Sequence, residues 1–365
     1  MEREFILQMQ PLFGEEEKQA LCDYMDEGGF LTEHKRTQRF EQLIADYCGV
    51  RHCVVVNNGT ISLTLAAMAA GLKAGDEVIV PNYTMIATPN SVQMFGAVPV
   101  FVDVEPDTLC LDIDKVRKAI NVRTKAIMFV AANGRFPKAG IAAFCDLARQ
   151  ENLILIEDAA QSLGSVFPDG RHVGTAGLVG SFSFSAPKII STGQGGALIT
   201  DDDDMAFRLR RLKDFGRAGG GNDVHEWVGY NFKFTELQAC VGLEQMKKLP
   251  VRIERKKQIW QRYKEQLDGI REVRLFEHDL RFTAPWFIDA LVERRGELIE
   301  FLKERGIGTR VMYPPINRQK AYNVPGEHPV SCKVGEAGLW FPSAVQLSDE
   351  QIDFICAATR EFYRR

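Results

Sequence analysis

Three short stretches of this sequence combine residue types that can do chemistry. Asn57-Asn58-Gly59-Thr60 follows the apolar run HCVVV and directly precedes a helical pattern. A strand–turn–helix junction leaves backbone N–H groups unpaired beside the positive end of a helix dipole. The junction could therefore cradle a phosphate. An ordinary turn with Thr60 capping the helix fits the same residues. Glu157-Asp158-Ala159-Ala160-Gln161 closes another apolar run, ENLILIED. Open α/β sheets bind ligands at that end of their strands. An acid there could hold a protonated ring nitrogen while Gln161 hydrogen-bonds a nearby oxygen; by itself, Asp158 reads better as the cap of a following helix. The third stretch, Ser181 to Gly196 (SFSFSAPKIISTGQGG), contains a single lysine, Lys188. Small, apolar surroundings solvate an ammonium poorly, which lowers its pKa and frees the amine as a nucleophile. The neighbouring glycines let backbone approach a bulky ligand. In isolation, a surface lysine on a glycine-rich loop is the simpler reading.

In the order cradle, acid, lysine, the three stretches are the parts a pyridoxal-phosphate enzyme requires. The acid keeps the pyridine protonated so that it acts as an electron sink, and the lysine carries the cofactor and moves protons.

Elements of the right kind surround them. From about residue 50 to 215, apolar runs alternate with helical patterns: HCVVV, DEVIVP, VPVFVDV, TKAIMFVA, ENLILIED, GSFSFS and GALIT read as strands. TMIATPNSVQMFG, DIDKVRKAI and GIAAFCDLARQEN read as helices between them, which predicts a mostly parallel sheet covered on both faces. ISLTLAAMAAG is predicted to bury one face (Ile61, Leu65, Met68, Leu72) and to stop at Gly71. The acidic run Asp201–Asp204 precedes MAFRLRRLKDFG and suits a helix N-terminus better than a metal site. Beyond residue 235 the pattern predicts a helix (TELQACVGLEQMKK), an interruption at Pro250 and a second helix (VRIERKKQIWQRYKEQL). A smaller α+β unit follows: FTAPWFIDALV and GTRVMYP as strands, GELIEFLKERG as a helix, and a closing helix with Ser348 and Gln351 as its capping box. The expected division is a large domain over residues 1–248 and a small C-terminal domain over 249–365.

The totals exclude other classes. The 365 residues are 45% hydrophobic and 26% charged, as in an ordinary globular protein, and the net charge of −4 comes with dispersed Lys and Arg. No basic stripe points to nucleic acid. No apolar run of about 20 residues suggests a membrane span, and the N-terminus lacks the apolar core of a signal peptide, so a cytoplasmic location is expected. The eight cysteines are scattered without metal-type spacing, and no metal site is expected.

The motifs NNGTISLTLA, GDEVIVPNYT, GAVPVFVDV, IEDAAQSLGS, SFSFSAPKIISTGQGGALITDD and VGYNFKFTELQACVGLEQM resemble those of the DegT/DnrJ/EryC1/StrS family of sugar aminotransferases. The resemblance runs from about Phe30 to the C-terminus. It implies the fold-type-I aspartate-aminotransferase architecture and pyridoxal 5'-phosphate as cofactor. By the same resemblance, Lys188 forms the Schiff base, Asp158 pairs with the ring nitrogen, and Gln161 lies near the phenolic oxygen. Gly59, Thr60 and Ser183 hold the phosphate, and Asn231 reaches it from a neighbouring subunit, which makes the expected unit a homodimer with shared sites.

The implied reaction moves an amino group from glutamate to a ketone on a nucleotide-linked sugar for cell-surface polysaccharide or O-antigen synthesis, with Tyr313 on the substrate side. Family members that remove a sugar hydroxyl carry histidine in place of Lys188. Within the family, the chain looks nearest to enzymes acting on a GDP-linked 4-keto-6-deoxy sugar, with departures. Val130-Ala-Ala-Asn-Gly134 lacks a usual histidine and tyrosine, Met85 stands where an aromatic often stacks on the cofactor, and Gln194 replaces a glutamate. Lys233 replaces an arginine and Asn317 a histidine. The altered 130–134 loop leaves a small phosphorylated ketone open as acceptor. A non-catalytic regulatory role, as noted for some relatives, is the other alternative, and the presence of Lys188, Asp158 and Asn231 favours the enzyme.

Overall fold

The structure, a computed structural model, describes residues 4–217 and 223–365. At its centre lies a seven-stranded sheet of β1 (His52–Val56), β2 (Glu77–Pro81), β3 (Val98–Val102), β4 (Thr124–Val130), β5 (Ile154–Asp158), β6 (Val179–Ser183) and β7 (Gly196–Thr200). Their spatial order is β1-β7-β6-β5-β4-β2-β3. Only β7 runs against its neighbours; the other pairings are parallel. Helices cover both faces, so strands such as EVIVP and GALIT are buried throughout. That double burial makes them continuous apolar runs in the sequence. The architecture is the mostly parallel α/β layer expected.

The helix Gly59–Ala69 departs from the one-sided expectation. It is buried around nearly its whole circumference, Ser62 and Thr64 included, because it packs on the sheet and on the helices Ala87–Gln93 and Asp203–Lys213. Gly71, at φ +89°, turns the chain just beyond its end. The acidic run is a cap: Asp202 accepts the Met205 N–H at 2.7 Å and Asp203 and Asp204 occupy the first turn.

A second, antiparallel sheet comprises β8 (Val273–Leu275), β9 (Ile288–Val292), β10 (Arg310–Val311) and β11 (Gly338–Phe341) in the order β10-β11-β9-β8. The helix Asp349–Arg364 closes it and begins with the Ser348–Gln351 capping box. The expected break at Pro250 does not occur: one helix runs from Glu236 to Leu267, and residues 248 and 249 lie inside it. Its first half buries Ala239, Met246 and Leu249 in the core of the large sheet. Its second half buries Ile259, Trp260 and Tyr263 in the core of the small one. Burial of such side chains, about 1.5–3 kcal/mol each, outweighs the roughly 3 kcal/mol that proline costs inside a helix. The chain start is stitched to the small sheet as well, since Ile6 bridges Ile307 and packs in that core.

Candidate cofactor site

All three chemical stretches meet at one edge of the large sheet. Parallel strands finish there, and β7, being antiparallel, begins there. The turn after β1, the turns after β5 and the loop after β6 therefore face one another, with Gly196 of β7 between the first and the last.

At the turn after β1, Asn58 is extended and its Oδ1 accepts the Ile61 N–H at 2.9 Å. Asn58, not Thr60, is thus the cap, and the N–H groups of Gly59 and Thr60 have no partner in the helix they open. The packing is close. A Cβ on Gly59 would lie 2.8 Å from Ser183 Cβ and 2.9 Å from Ser183 Oγ, and one on Gly196 would lie 2.5 Å from Asn58 O. Backbone N–H donors, a serine hydroxyl and a helix N-terminus are thereby gathered where side chains are missing, which suits a phosphate.

Asp158 is buried at the end of β5. Thr88 donates its hydroxyl to Oδ2 at 2.7 Å and Ala160 its N–H to Oδ1 at 3.2 Å. Burial raises the carboxyl pKa, against those two hydrogen bonds and the charge of Lys188. Only turns follow β5 before the next strand, so Asp158 caps no helix. Glu157 points to the opposite face, as alternation along a strand requires. There it accepts the N–H groups of Gly174, Ala176 and Gly177 and does structural work.

Lys188 is half-buried, and among the described residues its Nζ makes no hydrogen bond or ion pair. It lies 4.0 Å from the centroid of the Trp286 ring. Burial lowers its pKa to about 8, with Asp158 opposing that shift and Arg310 adding to it. Gln161 Oε1 accepts the Asn133 N–H at 2.7 Å, which leaves the Gln161 amide N–H groups to donate elsewhere. Tyr313 is half-buried near this centre, edge-on to Trp340 at 4.7 Å, and burial pushes its phenol up. Asn231 stands apart: it is exposed, its backbone bridges Asp214, and its side chain has no hydrogen bond among the described residues.

Two departures prove to be occupied internally. Asn317 is buried against Asn82, which donates to its Oδ1 at 2.9 Å and accepts its N–H at 2.9 Å. Asn133, at φ +55°, clamps the backbone of Trp286 and Phe287. Lys233 is paired with Asp214 at 2.8 Å, and Met85 is exposed while Tyr83 is buried. Sequence reasoning missed Thr88, Trp286 and Arg310. Each comes from a segment far away in the chain, and none lies in a motif whose composition suggests chemistry.

The doubly covered sheet, with an unpaired lysine and a buried acid at its carboxyl edge, is that of a pyridoxal-phosphate-dependent aminotransferase. Residues 11–360 match the model of the DegT/DnrJ/EryC1/StrS aminotransferase family, and the chain belongs to that family. It is 34% identical over 358 residues to a GDP-perosamine synthase of Escherichia coli O157:H7, covering 97% of each chain. It is 32% identical to a GDP-perosamine synthase of Vibrio cholerae, covering 97% of this chain and 98% of that one. Among solved structures, DesV of S. venezuelae superposes with a TM-score of 0.90 at 34% identity, over 96% and 95% of the two chains.

Proposed function

We propose that the chain transfers the amino group of glutamate to the keto group of a nucleotide-linked 4-keto-6-deoxy sugar, toward a cell-surface polysaccharide such as O-antigen. The observation that carries this reading is the unpaired Lys188 amine beside buried Asp158 and the Gly59–Ser183 cradle, in a chain whose relatives are named GDP-perosamine synthase. In this reading the N–H groups of Gly59 and Thr60 and the Ser183 hydroxyl bind the cofactor phosphate. Asp158 keeps the ring nitrogen protonated, Gln161 donates to the ring oxygen, and Lys188 is the residue bonded to the cofactor. When bound, pyridoxal phosphate supplies an electron sink for charge developing on the substrate carbon. Lys188 Nζ, once freed, would move a proton between the substrate carbon and the cofactor carbon within each half of the reaction, off the donor's carbon in the first and onto the acceptor's carbon in the second. An amine with a pKa of about 8 is poised for both directions near neutral pH.

Tyr313 flanks the acceptor sugar. The unit is a homodimer in which Asn231 completes the partner's phosphate site; its exposed side chain, without a hydrogen bond among the described residues, supports this. The working division remains a cofactor-binding domain over residues 1–248 and a small domain over 249–365. A cytoplasmic location is consistent with the described residues, none of whose helices is long and apolar enough to cross a membrane.

Incubation with glutamate and a panel of GDP-, dTDP- and UDP-linked 4-keto-6-deoxy sugars tests the reading. One sugar should give stoichiometric 2-oxoglutarate and an amino sugar identified by mass. Turnover of a small phosphorylated ketone with none of the nucleotide sugars would overturn it.

A further inference from the structure

The ring beneath Lys188 is unusually well fixed. The Trp286 Nε1–H donates to the carbonyl oxygen of Pro187, the residue before Lys188, at 2.7 Å. Phe287 stacks on the indole with centroids 3.8 Å apart, and Trp340 meets it edge-on at 6.0 Å. Its backbone is held by one side chain. Asn133 Oδ1 accepts the N–H groups of Trp286 at 2.8 Å and Phe287 at 2.7 Å, and Asn133 Nδ2 donates to Phe287 O at 2.8 Å. The Asn133 backbone is itself left-handed, a conformation asparagine tolerates better than most residues, and its N–H donates to Gln161. A single buried amide thus ties the Gln161 side chain to the surface on which the lysine rests.

We propose that Trp286 is the seat on which the Lys188 amine lies whenever it is not bonded to cofactor or substrate, its π-face favouring the protonated amine, and that Asn133 is the positioning residue that holds this seat in place. The inference rests on the reading of Lys188 as the cofactor-bonding, proton-moving group. A cation within about 6 Å of an indole centroid is attracted by the ring's quadrupole, and more strongly where water is excluded. Burial works the other way and disfavours the ammonium. A lysine that must both release and accept a proton needs the two effects in balance: burial lets the proton go, and the ring limits how far the amine's basicity falls. Because the indole N–H grips Pro187, seat and lysine loop keep their register.

The test uses the full-length chain freed of cofactor, so that it does not depend on turnover. Cyanate carbamylates only the neutral amine. Its rate at Lys188, followed by peptide mass spectrometry across pH, reports the pKa of that one residue. Trp286→Leu keeps the site apolar but removes the π-face. It should lower that pKa by about 0.5–1.5 units, a roughly three- to thirty-fold shift in the protonation constant. Trp286→Phe, which keeps a face and guards against misfolding in the leucine variant, should shift it in the same direction by less. Asn133→Gly, which accepts the left-handed backbone without strain, should lower the pKa too and add nothing when combined with Trp286→Leu. A purely structural role for either residue would lower the melting temperature and leave the titration of Lys188 in place. An unmoved or raised pKa in Trp286→Leu overturns the seat. Borohydride reduction of the cofactor-loaded chain with peptide mapping separates the two claims: label on another lysine removes the reading of Lys188 and the role proposed for its seat, whereas label on Lys188 with an unmoved titration removes the seat alone.

Discussion

One added methyl group at Gly59 probes the phosphate cradle from within. A Cβ there would lie 2.8 Å from Ser183 Cβ and 2.9 Å from Ser183 Oγ, with Ser183 Cα next at 3.4 Å. Non-bonded carbons settle at about 3.5–4.0 Å, so the start of the helix or the end of β6 must move by the better part of an ångström. Neither is free to do so, because Ser183 is paired with Gly196 in the sheet and Gly196 has no room for even a Cβ beside Asn58 O. Gly59 opens a right-handed helix, so alanine meets no backbone penalty and the effect is steric. Overpacking of this kind costs about 1–3 kcal/mol. To the extent that the strain is relieved by displacing the N–H groups and hydroxyl, Gly59→Ala should bind pyridoxal phosphate about 5- to 150-fold more weakly. The remainder should show as a lower melting temperature. Spectrophotometric titration of cofactor-free protein and thermal melts measure the two parts. Adding Ser183→Gly removes both nearest atoms and should restore the melting temperature, though not the hydroxyl's contribution to binding. Ser183→Ala keeps the clashing Cβ and should not. Wild-type affinity and melting temperature in Gly59→Ala, or equal rescue by both serine changes, would refute the reasoning.

Asp158→Asn should cut turnover by well over tenfold, more than the loss of an ordinary hydrogen bond at about 0.5–1.5 kcal/mol, because an amide cannot hold the ring nitrogen protonated; a merely severalfold fall in steady-state rate would reject that role. Co-expressed Lys188→Ala and Asn231→Ala chains should form heterodimers more active than the average of the two parents, since one site in each escapes both changes; absence of gain in isolated heterodimers would place Asn231 in its own chain's site. Lys256 is buried with Ser343 O as its hydrogen-bond acceptor, and burial lowers its pKa from 10.5 to about 7. The unfolded chain therefore binds the proton more readily, so the destabilisation is full below about pH 7 and is relieved as pH rises from there toward 10.5. Lys256→Met should flatten that rise in urea-unfolding experiments, and an unchanged slope would show that Lys256 is not the source.

Strands of the large sheet such as EVIVP and GALIT were legible because they are buried on both faces and are therefore runs of apolar residues in the sequence. The three chemical stretches were legible because each ends such a strand. The helices Glu15–Glu27 and Lys35–Cys48 were not, since their exposed faces are polar and they bury only a narrow stripe. β11 was missed because its four residues are too few to establish a period. Pro250 misled for a different reason: local propensity argues for a break, while the burial that overrides it comes from two cores remote in sequence. Asn133 and Asn317 were read as departures from the family's pattern. Their amides are consumed by Phe287, Trp286, Asn82 and Val324, partners that no local pattern discloses.

The placement of β1 has a consequence for synthesis. β1 is an edge strand whose one neighbour in the sheet is β7, and the cradle turn at residues 57–60 is closed against Gly196 at the head of that neighbour. At about 5–20 residues per second, the nascent chain waits roughly 7–30 s between making the turn and making the strand that shapes it. Through that interval β1 is an unpaired apolar edge, open to wrong partners. The pocket proposed to take the cofactor phosphate cannot exist until most of the first two hundred residues have left the ribosome. Cofactor capture is therefore a late event in the life of the chain, and it rewards completed molecules alone by stabilising the native state and not the growing one.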